Sequence, residues 1–211
     1  MKSLTFFVTA SLLSAASTPA YGVVTTFTEG SSFDAALDSA WSRYAEDFSG
    51  VSDGVTASYT ISTTGLSTTI TPETGAALFT YSGNSYNGAL SNFNSTNGFN
   101  FSIDEGFVYA MSFDLFLTDF SGSVVTETSP AAIYVNGVMV DSVAMSDADT
   151  FWGFVSDTPV NSIFIDYNGT NFLTVDNVDT AFSTVPEPAT YAGLAGMAAL
   201  GLLWTRRRRT A

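Results

Sequence analysis

Ala132-Ile133-Tyr134-Val135-Asn136-Gly137-Val138-Met139-Val140 is the stretch that decides the fold class. Two apolar, β-branched runs flank an Asn-Gly pair, and a two-residue type I′ turn needs positive φ at both central positions, which Asn and Gly tolerate best. A hairpin is predicted, and with it antiparallel pairing. Downstream, Phe151 to Val155, Ser162 to Tyr167 and Phe172 to Val178 read as strands separated by Asp157-Thr158-Pro159 and Asn168-Gly169-Thr170. Upstream, Gly98 to Ile103 and Phe107 to Leu117 flank the turn Asp104-Glu105-Gly106. Val55 to Ile61 alternates apolar and hydroxyl residues, Leu66 to Thr71 follows Gly65, and Ala76 to Tyr81 is a further strand. Gly83 to Gly98 is rich in Gly, Asn and Ser and reads as a loop.

One helix is predicted near the N-terminus. Phe33, Ala36, Leu37, Ala40, Trp41 and Tyr44 recur at helical spacing, behind a cap at Ser31 or Ser32 and with Asp34 in the first turn, so the helix should end near Ala45. The stripe is a packing face, and Trp41 and Trp152 are expected in the core. Nine or ten short strands, turns in place of crossover helices and no internal repeat give a mainly β fold: a two-sheet antiparallel sandwich of jelly-roll type with one short N-terminal helix.

The chain ends are of another kind. Lys2, the apolar run Leu4 to Ala16 and the small residues around Ala20-Tyr21-Gly22 make residues 1–22 a signal peptide, cleaved after Ala20 or Gly22. At the other end Val185-Pro186-Glu187-Pro188-Ala189-Thr190 is an extended linker, because two prolines within three residues continue neither helix nor strand. Tyr191 to Trp204 then runs without a charge before Arg206, Arg207, Arg208 and Arg209. A helix of that length rises about 21 to 24 Å against a bilayer core of roughly 30 Å, so a transmembrane span here is short, and the arginines would stay cytoplasmic. The exported domain is residues 23–184.

Within that domain Arg43 is the one base against nineteen acids, a formal balance of −18. Such a surface repels nucleic acid and other polyanions and gathers cations. The whole chain lacks Cys and His, which removes disulfides, thiolate or imidazole metal sites, and Ser-His-Asp or Cys-His nucleophiles. Carboxylate chemistry remains: paired acids on a glycosidic bond, or oxygen ligands for a hard cation.

Pro186, Glu187 and Pro188, the Gly/Ala/Leu span and the arginine run together closely resemble the PEP-CTERM sorting signal of Gram-negative bacteria. The resemblance covers residues 185–211 and implies recognition by an exosortase, a membrane-embedded transpeptidase. It also implies passage through the inner membrane and delivery to the cell surface or an exopolysaccharide matrix. Gly153 to Pro159 and Asp176-Asn177-Val178 resemble the closing strands of ectodomains in that group, as does the entry Ala45-Glu46-Asp47-Phe48. Those ectodomains are similar in turn to galactose-binding-like and carbohydrate-binding jelly rolls. The second resemblance implies one structural calcium between an acid near the first strand, here Glu46 or Asp47, and Asp176 in the last, with carbonyls completing six to eight oxygens.

Sugar binding would need exposed aromatics beside Asn and Asp. Tyr81 and Tyr86, bordering or within the 84–100 segment, are the candidate platform; the alternative is a structural loop whose Leu90 and Phe93 enter the core. No EF-hand loop is present, since Asp147-Ala148-Asp149 lacks the turn Gly and the terminal Glu. Nothing marks one pair of acids for catalysis, so the domain is not expected to be an enzyme. Two classes stay open: a structural or interaction component of a polysaccharide matrix, and a lectin-like carbohydrate-binding module.

Overall fold

The computed structural model describes residues 22–183 except 76, 82–87, 96 and 146–149. In chain order the elements are β1 (Val24–Phe27), α1 (Gly30–Ala36), β2 (Ser42–Glu46), β3 (Gly54–Thr56), β4 (Tyr59–Thr63), β5 (Leu66–Pro72), β6 (Leu78–Tyr81) and β7 (Ala89–Asn92). There follow β8 (Phe99–Glu105), β9 (Phe107–Thr118), β10 (Val124–Val125), β11 (Ala131–Val135), β12 (Val138–Val143), β13 (Thr150–Val160), β14 (Ser162–Asp166) and β15 (Phe172–Ser183). The larger sheet runs β1-β13-β9-β15-β7-β6-β3, with β10 added to β9 and β2 to β15. The smaller runs β12-β11-β14-β8-β5-β4. All pairings are antiparallel, so the expected two-sheet sandwich with one short helix is what forms.

The decisive hairpin is present: Val135 lies opposite Val138, and Asn136 and Gly137 both have positive φ, 48° and 78°. The Asn136 side chain does more than tolerate the turn. Its Oδ1 accepts the backbone N–H groups of Asn161 and Ser162 at 2.8 and 3.2 Å, which ties the β11–β12 turn to the β13–β14 turn beside it.

The core lies between the sheets. Along β9, Met111, Phe113, Leu115 and Leu117 point inward at period two, and all are fully buried. Phe113 stacks on Phe101 of the opposite sheet (centroids 5.6 Å) and on Trp152 (5.3 Å). Trp152 is completely buried, as expected, and its indole N–H donates to Asp141 of β12 at 2.8 Å, so the largest core ring carries no orphan donor.

The helix is shorter than its stripe suggests. It covers seven residues, its N-cap is Glu29 rather than Ser31 or Ser32, and Asp34 lies beyond the first turn. Asp38 ends the pattern by accepting the Ala40 N–H at 2.8 Å, a local bond that competes with helix continuation. Ser42 to Glu46 then pairs with β15, Glu46 opposite Val178 and Ser42 opposite Phe182. A ladder against a central strand outweighs propensity over these five residues. Trp41 is half-buried, stacked flat on Tyr109 at 5.1 Å on the outer face of the larger sheet, not in the inter-sheet core.

Other boundaries differ for similar reasons. The run 55–61 is two strands, β3 in the larger sheet and β4 in the smaller, and the chain changes sheet where Thr56 Oγ1 donates to the Ser58 carbonyl. Asp157-Thr158-Pro159 does not separate strands, because β13 continues through it across a register shift. The expected 83–98 loop contains β7, fully buried between β15 and β6. Fifteen strands stand among the described residues, the excess being short pieces such as β1, β3 and β10.

Candidate functional site

β15 is the spine of the larger sheet, flanked by β9 on one side and by β7 and β2 on the other. Outward from it, three zones follow one another along the strand. Near Ala181 the face is covered by α1, where Phe33, Ala110 and Ala181 form a small second core. In the middle lies a polar groove of about 260 Å³ lined by Asp34, Arg43, Glu46, Asp47, Asp114, Asn177 and Asp179 among others. At the Phe172 end is a cleft of about 150 Å³ lined by Phe79, Tyr81, Asn92, Phe93, Phe120 and Phe172.

The groove is held together by the lone base of the domain. Arg43 on β2 pairs with Asp34 of α1 at 3.0 Å and with Asp179 of β15. Hydrogen bonding to Asp179 raises its already high pKa further, against a modest opposing effect of burial. The three residues proposed for calcium all lie in this region. Glu46 accepts the Phe48 N–H at 2.9 Å, and Asp47 accepts both the N–H and the hydroxyl of Ser49 at 3.0 and 2.7 Å. Asp176 is 7% exposed, lies opposite Asp114, and its Oδ1 accepts the Asn177 N–H at 2.7 Å. These bonds shape the turn after β2 and the bulge in β15. No group of three or more acids is placed to hold a metal among the described residues.

The aromatic cleft is built by three different devices. Alternation along β6 sends Leu78 and Thr80 into the core and turns Phe79 and Tyr81 outward, their rings 4.6 Å apart. Beneath them Ser91, Thr118 and Thr174 form a buried hydroxyl cluster, with Thr174 Oγ1 donating to Ser91 Oγ at 3.0 Å and lying 3.0 Å from Thr118 Oγ1. Burial raises the Tyr81 pKa, while hydrogen bonds to Thr118 and Ser91 oppose that shift, so the phenol oxygen is engaged inward and the ring faces out. Asn92, 1% exposed, is locked by donating to the Gly98 carbonyl at 2.6 Å and accepting the Asn94 N–H at 3.0 Å.

Phe120 crowns the turn after β9. Asp119 Oδ1 accepts the N–H groups of Ser121 and Ser123 at 2.8 and 2.9 Å and the Ser121 hydroxyl at 2.6 Å, and these bonds hold its carboxyl below the ordinary range. Gly122 closes the turn at φ +79°. Raised in this way, Phe120 is 81% exposed, and its ring lies 6.5 Å from Phe93 and 6.3 Å from Phe172. Phe93 in turn stacks on Phe79 at 6.4 Å. Five rings thus form one continuous surface.

Of the two residues proposed for a sugar platform, Tyr81 is part of this cleft and Tyr86 lies outside the described residues. Leu90 is fully buried, whereas Phe93 is 48% exposed and belongs to the cleft. Phe79, Phe120 and Phe172 were not singled out from the sequence. A signal existed for two of them: Phe79 shares the outward parity of Tyr81, and Asp119-Phe120-Ser121-Gly122 is a turn sequence with a bulky ring at its tip.

Fold and surface together define an acidic antiparallel β-sandwich with an aromatic cleft. Residues 184–209 match the family model of the PEP-CTERM protein-sorting motif, which marks the chain as an exported surface protein sorted by an exosortase. No curated protein matches the chain. The expected sorting residues Pro186, Glu187 and Pro188, the stop residues Arg206, Arg207, Arg208 and Arg209, and the expected span lie outside the described residues. Among the described residues no helix is long and apolar enough to cross a membrane.

Proposed function

We propose that the exported domain is a non-enzymatic component of the cell surface or extracellular matrix that associates with exopolysaccharide through its aromatic cleft. The observation that supports this reading is the ring surface Phe79–Phe93–Phe120–Phe172 with Tyr81, since monomeric domains seldom expose contiguous aromatic surface without a ligand to cover it. Carbon-bound faces of sugar rings are apolar and pack on such rings. Among the described residues no carboxylate lines the cleft, so a bound glycosidic bond would meet no acid and base pair from them.

The competing reading is a matrix component held only by divalent cations between its acidic surface and an anionic polysaccharide. Sedimentation of the protein with the host's own exopolysaccharide separates the two. Direct recognition by the rings requires binding that persists in excess chelator and weakens on Phe120→Ala. Binding that disappears with the chelator selects cation bridging, with calcium or magnesium as the ion, and binding under neither condition excludes both.

A further inference from the structure

The chemistry of the cleft and its position relative to the sorting motif narrow what it can hold. Four of its five rings are phenylalanine, and a phenyl ring offers no hydrogen-bond donor at its edge. The fifth, Tyr81, faces the cleft with its ring, its phenol oxygen accepting from the Thr118 and Ser91 side. Among the described residues the lining therefore presents carbon surface, one buried amide and no charge. Asn92, 1% exposed, commits its amide to the backbone of Gly98 and Asn94 and forms part of the floor of the cleft. At about 150 Å³ the cleft is well below the roughly 300 to 1,000 Å³ of pockets for drug-sized ligands, so it suits one substituted sugar ring and not a long chain segment.

Three occupants compete for such a surface. A second copy of the chain would bring together two domains of formal charge −18, which repel one another. A membrane is disfavoured by where the chain leaves the domain. β15 begins at Phe172, in the cleft, and ends at Ser183, immediately before the matched motif at 184–209. Eleven residue steps at about 3.3 Å put the two ends of this strand roughly 35 Å apart. A tail inserted in the bilayer during sorting would anchor the chain at the Ser183 end, one strand length from the cleft. The remaining occupant is a glycan in the surrounding matrix, and the surrounding negative charge disfavours acidic sugars.

We propose that the cleft binds an uncharged sugar residue bearing a methyl-containing substituent, an acetamido, O-acetyl or 6-deoxy group, with the methyl among the phenyl rings and the polar groups of the sugar turned to solvent. The proposal rests on the exopolysaccharide reading and specifies its ligand class. The test uses the full chain in phosphatidylcholine nanodiscs, titrated calorimetrically with the trimers of N-acetylglucosamine, glucose and galacturonic acid. Expected is at least tenfold tighter binding of the acetylated trimer than of the glucose trimer, no detectable binding of the galacturonate trimer, and at least a tenfold loss in Phe120→Ala. Phe120 is exposed at a turn tip, so this variant folds, and an unchanged melting temperature verifies it. Equal affinity for acetylated and unsubstituted trimers, binding of galacturonate, or an unaltered Phe120→Ala variant overturns the proposal. The same is true of concentration-dependent self-association abolished by Phe120→Ala. Because the chain has no Cys, a single fluorophore at Phe120→Cys reports orientation, and quenching there by brominated lipid would identify the membrane as the occupant. Exopolysaccharide that sediments with the protein while none of the trimers binds would overturn the ligand class and leave the function standing.

Discussion

Gly122 shows how one residue sets the cleft. A Cβ built there would lie 3.0 Å from Tyr81 Cε1, and the backbone sits at φ +79°, where a side chain is strained. Gly122→Ala is therefore expected to cost about 1 to 2 kcal/mol in a thermal or denaturant melt. It should also weaken exopolysaccharide binding, because the new methyl crowds the Tyr81 ring and shifts it from its place in the cleft. An alanine variant with wild-type stability and binding would show that the turn relaxes freely and does not position the ring. Gly137, at φ +78° with nothing within 4 Å of its would-be Cβ, has the strain without the collision. Comparing alanine at the two glycines separates backbone strain from contact with Tyr81.

Between elements, Glu127 joins the β10–β11 connection to the β14–β15 turn. Its carboxylate accepts the Tyr167 hydroxyl at 2.9 Å, the Ser129 hydroxyl at 2.9 Å, the Asn171 amide at 3.0 Å, and the N–H and hydroxyl of Thr170. Desolvation opposes ionisation, but the Tyr167 bond and the others outweigh it and bring the Glu127 pKa from 4.5 down to about 2. Since the folded value is the lower one, the stabilisation is complete above pH 4.5 and fades as pH falls toward 2. The carboxylate is partly exposed and screened, so the acid limb should amount to about 1 kcal/mol or less. Burial followed by the Glu127 contact raises the Tyr167 pKa, so that phenol remains a donor past pH 10. Glu127→Gln should lower stability at pH 7 by about 1 to 2 kcal/mol and remove the extra acid limb. Denaturant melts at pH 7, 4 and 3 compare the two proteins, and parallel pH profiles would mean the carboxylate does not anchor the turn.

At the scale of the whole molecule, β15 begins in the aromatic cleft at Phe172 and ends at Ser183, immediately before the matched sorting motif. The two prolines of the motif should matter to processing and not to the sandwich, whose last described strand closes at Ser183. In the native host, Pro186→Ala with Pro188→Ala is expected to leave the tail attached, seen as a larger band retained in the membrane fraction. The melting temperature of the domain should stay the same. Tail removal as efficient as in the unaltered chain would show that the prolines are not what the sorting enzyme reads.

What the sequence determined by itself are the features written in local chemistry. The Asn136-Gly137 turn, the strands expected at Leu66 to Thr71, Gly98 to Ile103 and Phe107 to Leu117, the buried Trp152 and the sorting motif all depend on neighbouring residues and were legible from them. The tertiary structure alone decided the rest. Residues 42–46 carry a helical stripe yet become a strand, because a partner 132 or more positions away offers a ladder. Residues 89–92 look like loop and lie buried, because Gly88 lets the backbone approach Phe48, where a Cβ would come within 2.2 Å of its carbonyl. The cleft draws Phe79, Phe93, Phe120 and Phe172 from four separate parts of the chain. Alternation can say that a ring points outward, but only long-range strand pairing brings outward-pointing rings together.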